Sequence, residues 1–142
     1  MRIRTILLAA VTACAAILSS TAQAAQPDYE GVFVDHCAGG KATCSFDVER
    51  RGKTYRLTWQ ATDRTGRERH CNFTADLVVA TGKDIRKHLG RALVGPVEGS
   101  GAAVILTVDG DDAVLRTTGG ACRSPVGTIE PDGSYDREIG DY

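Results

Sequence analysis

Residues 54–61 alternate without a break: Tyr55, Leu57, Trp59 and Ala61 are apolar, while Thr54, Arg56, Thr58 and Gln60 are polar. Successive side chains of an extended chain point to opposite sides, so this period of two gathers the apolar groups on one face and predicts a half-buried antiparallel strand. A helix would scatter the same residues around its axis. The preceding segment repeats the rule, with Cys44, Phe46 and Val48 on one side and Ser45, Asp47 and Glu49 on the other. Between the two runs, residues 49–53 are polar and contain Gly52, the composition of a hairpin turn. Asp63-Arg64-Thr65-Gly66 marks the next turn, after which Cys71, Phe73, Ala75, Leu77 and Val79 share a face.

Residues 29–36 are apolar on both faces at Val32, Phe33 and Val34, which suits a strand with neighbours on both sides. Residues 102–108 behave similarly and end at Asp109-Gly110-Asp111-Asp112, with 113–118 returning as a hairpin partner. The carboxylates of that turn lack the ligand spacing of a calcium loop. Residues 126–130 and 134–138 read as two short strands about Pro131-Asp132-Gly133. One stretch reads as helical: Thr81 stands as a cap, Asp84 follows three residues later, Ile85 and Leu89 are four apart, and Gly90 ends it. The expected fold is all-β, a single small antiparallel β-sandwich or β-barrel domain with one short helix.

Residues 1–24 stand apart from this pattern. Arg2 and Arg4 precede an apolar run over 6–18, and Ala22-Gln23-Ala24 is a small-x-small cleavage pattern, so 1–24 reads as a secretory signal peptide and 25–142 as one disulfide-stabilised β-domain. Val11-Thr12-Ala13-Cys14 resembles a bacterial lipobox, but the apolar run continues past Cys14 and the pattern at Ala24 follows it. No other apolar run approaches the roughly 20 residues of a membrane helix, so no membrane span is expected.

Export commits cysteines to disulfides, because the oxidising side of a membrane lets them form and persist. Beyond Cys14 the chain carries Cys37, Cys44, Cys71 and Cys122. Their three connectivities are not equal. The short Ala-Gly-Gly-Lys-Ala-Thr loop between Cys37 and Cys44 can bring those two backbones together, which favours Cys37 with Cys44 and Cys71 with Cys122.

The spacing Ala61-x-Asp63-x-x-Gly66-x-x-x-x-Cys71-x-Phe73 resembles the terminal hairpin of the hyalin repeat, an immunoglobulin-like extracellular module. The resemblance covers residues 55–73 and implies a β-hairpin in a disulfide-linked extracellular domain. It further implies that Asp63 and Gly66 shape the turn while Cys71 and Phe73 face the core. Arg67 stands where the repeat usually has asparagine.

The formal net charge of −1 conceals a split. Residues 41–91 hold 12 basic and 6 acidic side chains, whereas 92–142 hold 3 basic and 9 acidic ones. Either the halves lie side by side and neutralise one another, or the asymmetry marks a surface that steers a charged partner. The basic residues are interleaved with acids and lack aromatic stacking platforms, so nucleic acid is not an expected partner.

Catalytic chemistry finds little support. Asp35-His36 with Ser100 or Ser124 would make a hydrolase dyad, yet Gly99-Ser100-Gly101 lacks nucleophile-elbow spacing and most carboxylates fall in turns. The pairs His36-Cys37 and His70-Cys71 suggest a metal, but neighbours on a strand point to opposite faces and the cysteines are expected in disulfides. No catalytic residue, metal or cofactor is expected. Loops remain. Gly39, Gly40 and Lys41 lie in the proposed Cys37–Cys44 loop, Arg64, Arg67 and Arg69 stud the next hairpin, and Lys83, Arg86, Lys87 and Arg91 stud the predicted short helix. A disulfide-braced loop is preorganised for recognition. The expected function is a small secreted or periplasmic non-enzymatic binding module, of the inhibitor or immunity type, acting on an extracytoplasmic protein. The alternatives are an envelope-associated structural protein or lipoprotein, and a small secreted hydrolase with Asp35 and His36 near its site.

Overall fold

The computed structural model describes residues 27–80, 91–119 and 122–139. The signal peptide expected over 1–24, Cys14 within it, and the helix expected over 81–90 lie outside the described residues.

The alternating runs form antiparallel strands. In chain order these are β1 (Gly31–Cys37), β2 (Ala42–Arg51), β3 (Thr54–Asp63), β4 (Arg69–Val79), β5 (Leu93–Pro96), β6 (Ala103–Asp109), β7 (Asp112–Thr117), β8 (Cys122–Ser124), β9 (Gly127–Ile129) and β10 (Gly133–Arg137). From β1 to β7 each strand pairs with the next, and β10 pairs with both β7 and β1, closing an eight-stranded barrel. β8 and β9 pair only with each other, as a hairpin inserted between β7 and β10. Barrel, not sandwich, is therefore the outcome of the two expected architectures, and closure leaves no unpaired edge among these eight strands.

Two tight turns follow directly from sequence. Arg51 pairs with Thr54 and Asp109 with Asp112, leaving two-residue connections that begin at Gly52 (φ 66°) and Gly110 (φ 63°). That left-handed backbone matches the twist of the flanking strands and excludes most other residues.

The period of two decides what fills the barrel. Phe46, Val48, Leu57, Trp59, Leu77, Leu106, Leu115 and Tyr135 all point inward and are buried. Phe33 stacks on Phe46 with ring centroids 4.9 Å apart, and Phe46 meets Tyr135 edge-on at 4.8 Å, so the interior is packed by rings and branched side chains. Aromatic packing supplies the barrel's centre.

A meander of this kind alternates ends. The β2–β3 and β6–β7 turns and the entering segment 27–30 lie at one end, here called the lower. The β1–β2, β3–β4 and β5–β6 connections and the β8–β9 excursion lie at the other, the upper. The lower end is plugged. Tyr29 is 1% exposed, packs edge-on against Tyr55 at 5.5 Å, and donates its hydroxyl to the Arg91 carbonyl. Arg137, last on β10, lies over the Phe33 ring at 4.7 Å and donates to the carbonyls of Asp28 (2.8 Å) and Glu30, with Asp111 at 3.6 Å. One guanidinium thus ties the entering segment and the β6–β7 turn to the seam between β1 and β10. Arg137→Ala is expected to lower unfolding free energy by about 2–3 kcal/mol, because it deletes charged hydrogen bonds and a ring contact in a side chain that is only 17% exposed. Urea denaturation reads this directly, and an unchanged midpoint would show that the seam closes without it.

The structure departs from expectation at four strands. Residues 126–130 and 134–138 do contribute strands, but not to each other: β9 pairs with β8, and β10 with β7 and β1. Tyr135 points inward and donates to the Pro131 carbonyl at 2.6 Å, folding the 130–132 segment back over the barrel instead of into a hairpin. β5 and β8 escape the periodicity because four residues ending at Gly95-Pro96, and three residues around Arg123, are too short to alternate.

Candidate functional site at the upper end of the barrel

Cys37 and Cys44 are disulfide-bonded with Cα atoms 5.7 Å apart, and Cys71 and Cys122 with Cα atoms 6.3 Å apart. Two disulfides fit an oxidising, extracytoplasmic setting. They also mean that neither His-Cys pair offers a thiolate to a metal.

The first disulfide braces the β1–β2 connection. β2 already begins at Ala42, so the protruding loop is shorter than the cysteine spacing suggests: a single 3-10 turn over Ala38–Gly40, closed by the Lys41 amide donating to the Ala38 carbonyl at 3.3 Å. Gly39 and Gly40 have φ of 66° and 81°. The glycines are there for backbone conformation, since nothing lies within 4 Å of a Cβ at either position.

Ala42 is the register partner of Asp63, which places the β3–β4 turn beside that loop. Asp63 organises the turn through its carboxylate, accepting from the amides of Arg67 (2.8 Å) and Glu68 (3.3 Å) and from the Thr65 hydroxyl (2.7 Å). The Thr65 hydroxyl first, then these amides, hold the Asp63 carboxyl below its ordinary pKa. Gly66 takes φ 71°. Asp63 and Gly66 therefore shape the turn as the hairpin resemblance implies, although the domain is a barrel and not an immunoglobulin-like sandwich. His70 is the extra residue of a bulge: Ala61 faces Cys71 while Thr62 faces Arg69.

Lys41, Arg64, Arg67 and Arg69 are all exposed on these two connections, and among the described residues no ion pair engages their side chains. Arg56 and Arg137 differ, being clamped by carboxylates. One of those clamps crosses between the basic and acidic halves of the sequence: Arg56, on the outer wall, grips Glu98 with both terminal nitrogens, one at 2.9 Å. Thr74 adds its hydroxyl to Glu98 at 2.6 Å, and Asp76 faces Arg56 at 3.0 Å. The Arg56 guanidinium, then the Thr74 hydroxyl, hold the Glu98 carboxyl down to about 2. Glu98 therefore contributes fully to fastening the β5–β6 turn to β4 above the ordinary glutamate pKa, and that contribution is lost progressively as the pH falls from there to about 2.

The β8–β9 hairpin crosses this end, β8 beside β4 and β9 beside the Ala38–Gly40 turn. Beneath it a buried chain of hydrogen bonds spans the barrel: the Trp59 indole N–H donates to the Tyr135 hydroxyl at 3.0 Å, which donates to the Pro131 carbonyl at 2.6 Å. Burial pushes the Tyr135 phenol up to about 12, so it keeps the proton it donates. Two clefts open here. One, of about 300 Å³, is lined by Asp35, Cys37, Ala38, Thr128, Glu130, Asp132 and Tyr135. The other, of about 180 Å³, has Trp59, Phe73, Val97, Ala102 and the Cys71–Cys122 bridge in its wall.

The six residues singled out from sequence, Gly39, Gly40, Lys41, Arg64, Arg67 and Arg69, are thus brought to one end. The clefts beside them were not anticipated. Phe33, Asp35 and Cys37 share a face by period two, so the inward aim of Asp35 was legible, but its convergence with Glu130 and Asp132 depends on the 130–132 segment folding back. Asp35 and Ser100 line different clefts. No protein-family model, curated protein or solved structure matches this chain, so the reading of this end rests on its own geometry.

Proposed function

We propose that the protein is an exported, non-enzymatic binding module of the inhibitor or immunity type, secreted or held in the periplasm or at the cell surface. Its upper end would engage an extracytoplasmic protein. The observation that carries this reading is the pairing of Ala42 with Asp63, which joins the loop bearing Lys41 and the turn bearing Arg64, Arg67 and Arg69 into one surface. Both are preorganised, one by a disulfide and the other by the Asp63 carboxylate, so little conformational entropy is lost when they are immobilised against a partner. Four exposed cations favour a partner with an acidic patch and an association rate that falls with salt. The signal peptide expected at 1–24 supports delivery to the compartment where the disulfides persist.

The test is affinity for the partner recovered with the mature domain. Lys41→Ala/Arg67→Ala is expected to weaken that complex by roughly 10-fold or more while leaving thermal stability within about 0.5 kcal/mol of wild type, since both side chains are exposed. Unaltered affinity in a folded double variant would remove this surface from the interaction.

A further inference from the structure

The smaller upper cleft differs in character from everything around it. Its volume is about 180 Å³, and its wall combines two aromatic rings, two aliphatic side chains and a disulfide. Trp59 and Phe73 are register partners on β3 and β4, and their rings stack with centroids 5.2 Å apart and planes inclined by 17°. The polar groups in the lining are Asn72, Ser100 and Thr117, all uncharged, and among the described residues no acidic or basic side chain borders it. The neighbouring cleft, by contrast, has Asp35, Glu130 and Asp132. Two independent clamps hold the walls: the Cys71–Cys122 bridge on one side, and Glu98 gripped by Arg56 and Thr74 immediately after Val97 on the other.

We infer that this cleft is a binding site for a small neutral aromatic molecule, one phenol-sized ring. Size selects the class, because an apolar cavity of about 150 Å³ accommodates benzene and this one is only slightly larger. Charge selects within it. An anionic or cationic ring would lose its hydration without meeting an opposite charge, whereas a phenolic hydroxyl can be satisfied by Ser100, Asn72 or Thr117 at the rim. The mouth of a β-barrel is a recurrent place for such a pocket. The site does not depend on the protein-binding surface proposed above.

Trp59 is the chain's sole tryptophan and lies in the wall, so its fluorescence reports occupancy without a label. Titration of the disulfide-intact protein with p-cresol, excited where phenols do not absorb, is expected to give a saturable change in Trp59 emission with a dissociation constant of about 1 mM or tighter. Benzoate should bind at least roughly 10-fold more weakly. Ala102→Phe, which fills the cleft, should abolish the p-cresol response. Because that variant can fail to fold, amide chemical shifts of the wild-type protein provide a second reading. The shifts induced by p-cresol should cluster at residues 72–73, 97–102 and 117–119. The absence of saturation, shifts centred elsewhere, equal binding of benzoate, or an unchanged response in folded Ala102→Phe would each overturn the assignment.

Discussion

Replacing Cys71 and Cys122 together by alanine is expected to destabilise the protein by about 4 kcal/mol, the loop-closure value for a bridge spanning some 50 residues. For a domain of this size that lowers the melting temperature by roughly 15 °C or more. The bridge ties β4 to β8, and β8 pairs only with β9, so among the described residues no barrel strand holds this hairpin by ladder pairing. Its loss should also release the wall of the apolar cleft and expose the ring pair Trp59–Phe73, seen as a red shift in Trp59 emission. Removing Cys37–Cys44 should cost less, about 2.5 kcal/mol, because it closes a much shorter loop between strands already paired. The order of the two effects is the discriminating result. A larger loss from Cys37–Cys44, or a loss below about 1 kcal/mol from Cys71–Cys122, would contradict the part assigned to the hairpin.

The second large effect belongs to one methyl group. A Cβ built on Gly95 would lie 2.0 Å from the Asp76 carbonyl oxygen, 2.9 Å from its carbon and 3.1 Å from the Leu77 Cα. All three are backbone atoms of β4, which cannot rotate away as a side chain would. Gly95→Ala must therefore push β5 off β4, a seam held by the Val78–Val94 and Val79–Leu93 pairs. The expected cost is about 3 kcal/mol or more, with the thermal midpoint falling by over about 10 °C. Gly101 provides the control, since nothing lies within 4 Å of a Cβ there. Gly101→Ala should be neutral or raise stability by a few tenths of a kcal/mol, by narrowing the unfolded ensemble. Equal stabilities for the two variants would show that β4 and β5 do not approach as closely as described.

These two sites show where a reading of the sequence succeeds and where it stops. Alternation is a local property, so β2, β3 and the facing of Cys71, Phe73 and Leu77 were legible from residue order alone. The cysteine spacing likewise favoured the pairing found. Closure was not legible, because a sandwich and a barrel use the same period of two and differ only in which distant strands meet. Here that difference is the pairing of Phe33 with Arg137 and Val34 with Asp136. β5 carried no period at all, and its glycine is explained by a neighbour some 20 residues earlier in the chain. The charge split resolved only partly. Arg56 and Glu98 neutralise one another across the halves, while Lys41, Arg64, Arg67 and Arg69 remain outside any ion pair among the described residues. Inward-facing Trp59 and Phe73 were recognised as core, but the gap beside them depends on the β5–β6 connection, the end of β7 and Cys122 of β8 meeting there, which residue order alone does not show.

The claim that joins these observations is that the upper end, and not the plugged lower end, is the surface that meets a partner. Photo-crosslinking compares the two within one fold. A photoreactive residue placed at position 65, between the upper arginines, is set against one at position 53, in the lower β2–β3 turn, each in the mature disulfide-intact domain exposed to the extracytoplasmic proteins of its source. A discrete covalent adduct is expected from position 65 that disappears in the Lys41→Ala/Arg67→Ala background, and none from position 53. An adduct from position 53 alone, or one from position 65 that survives the double substitution, would contradict it.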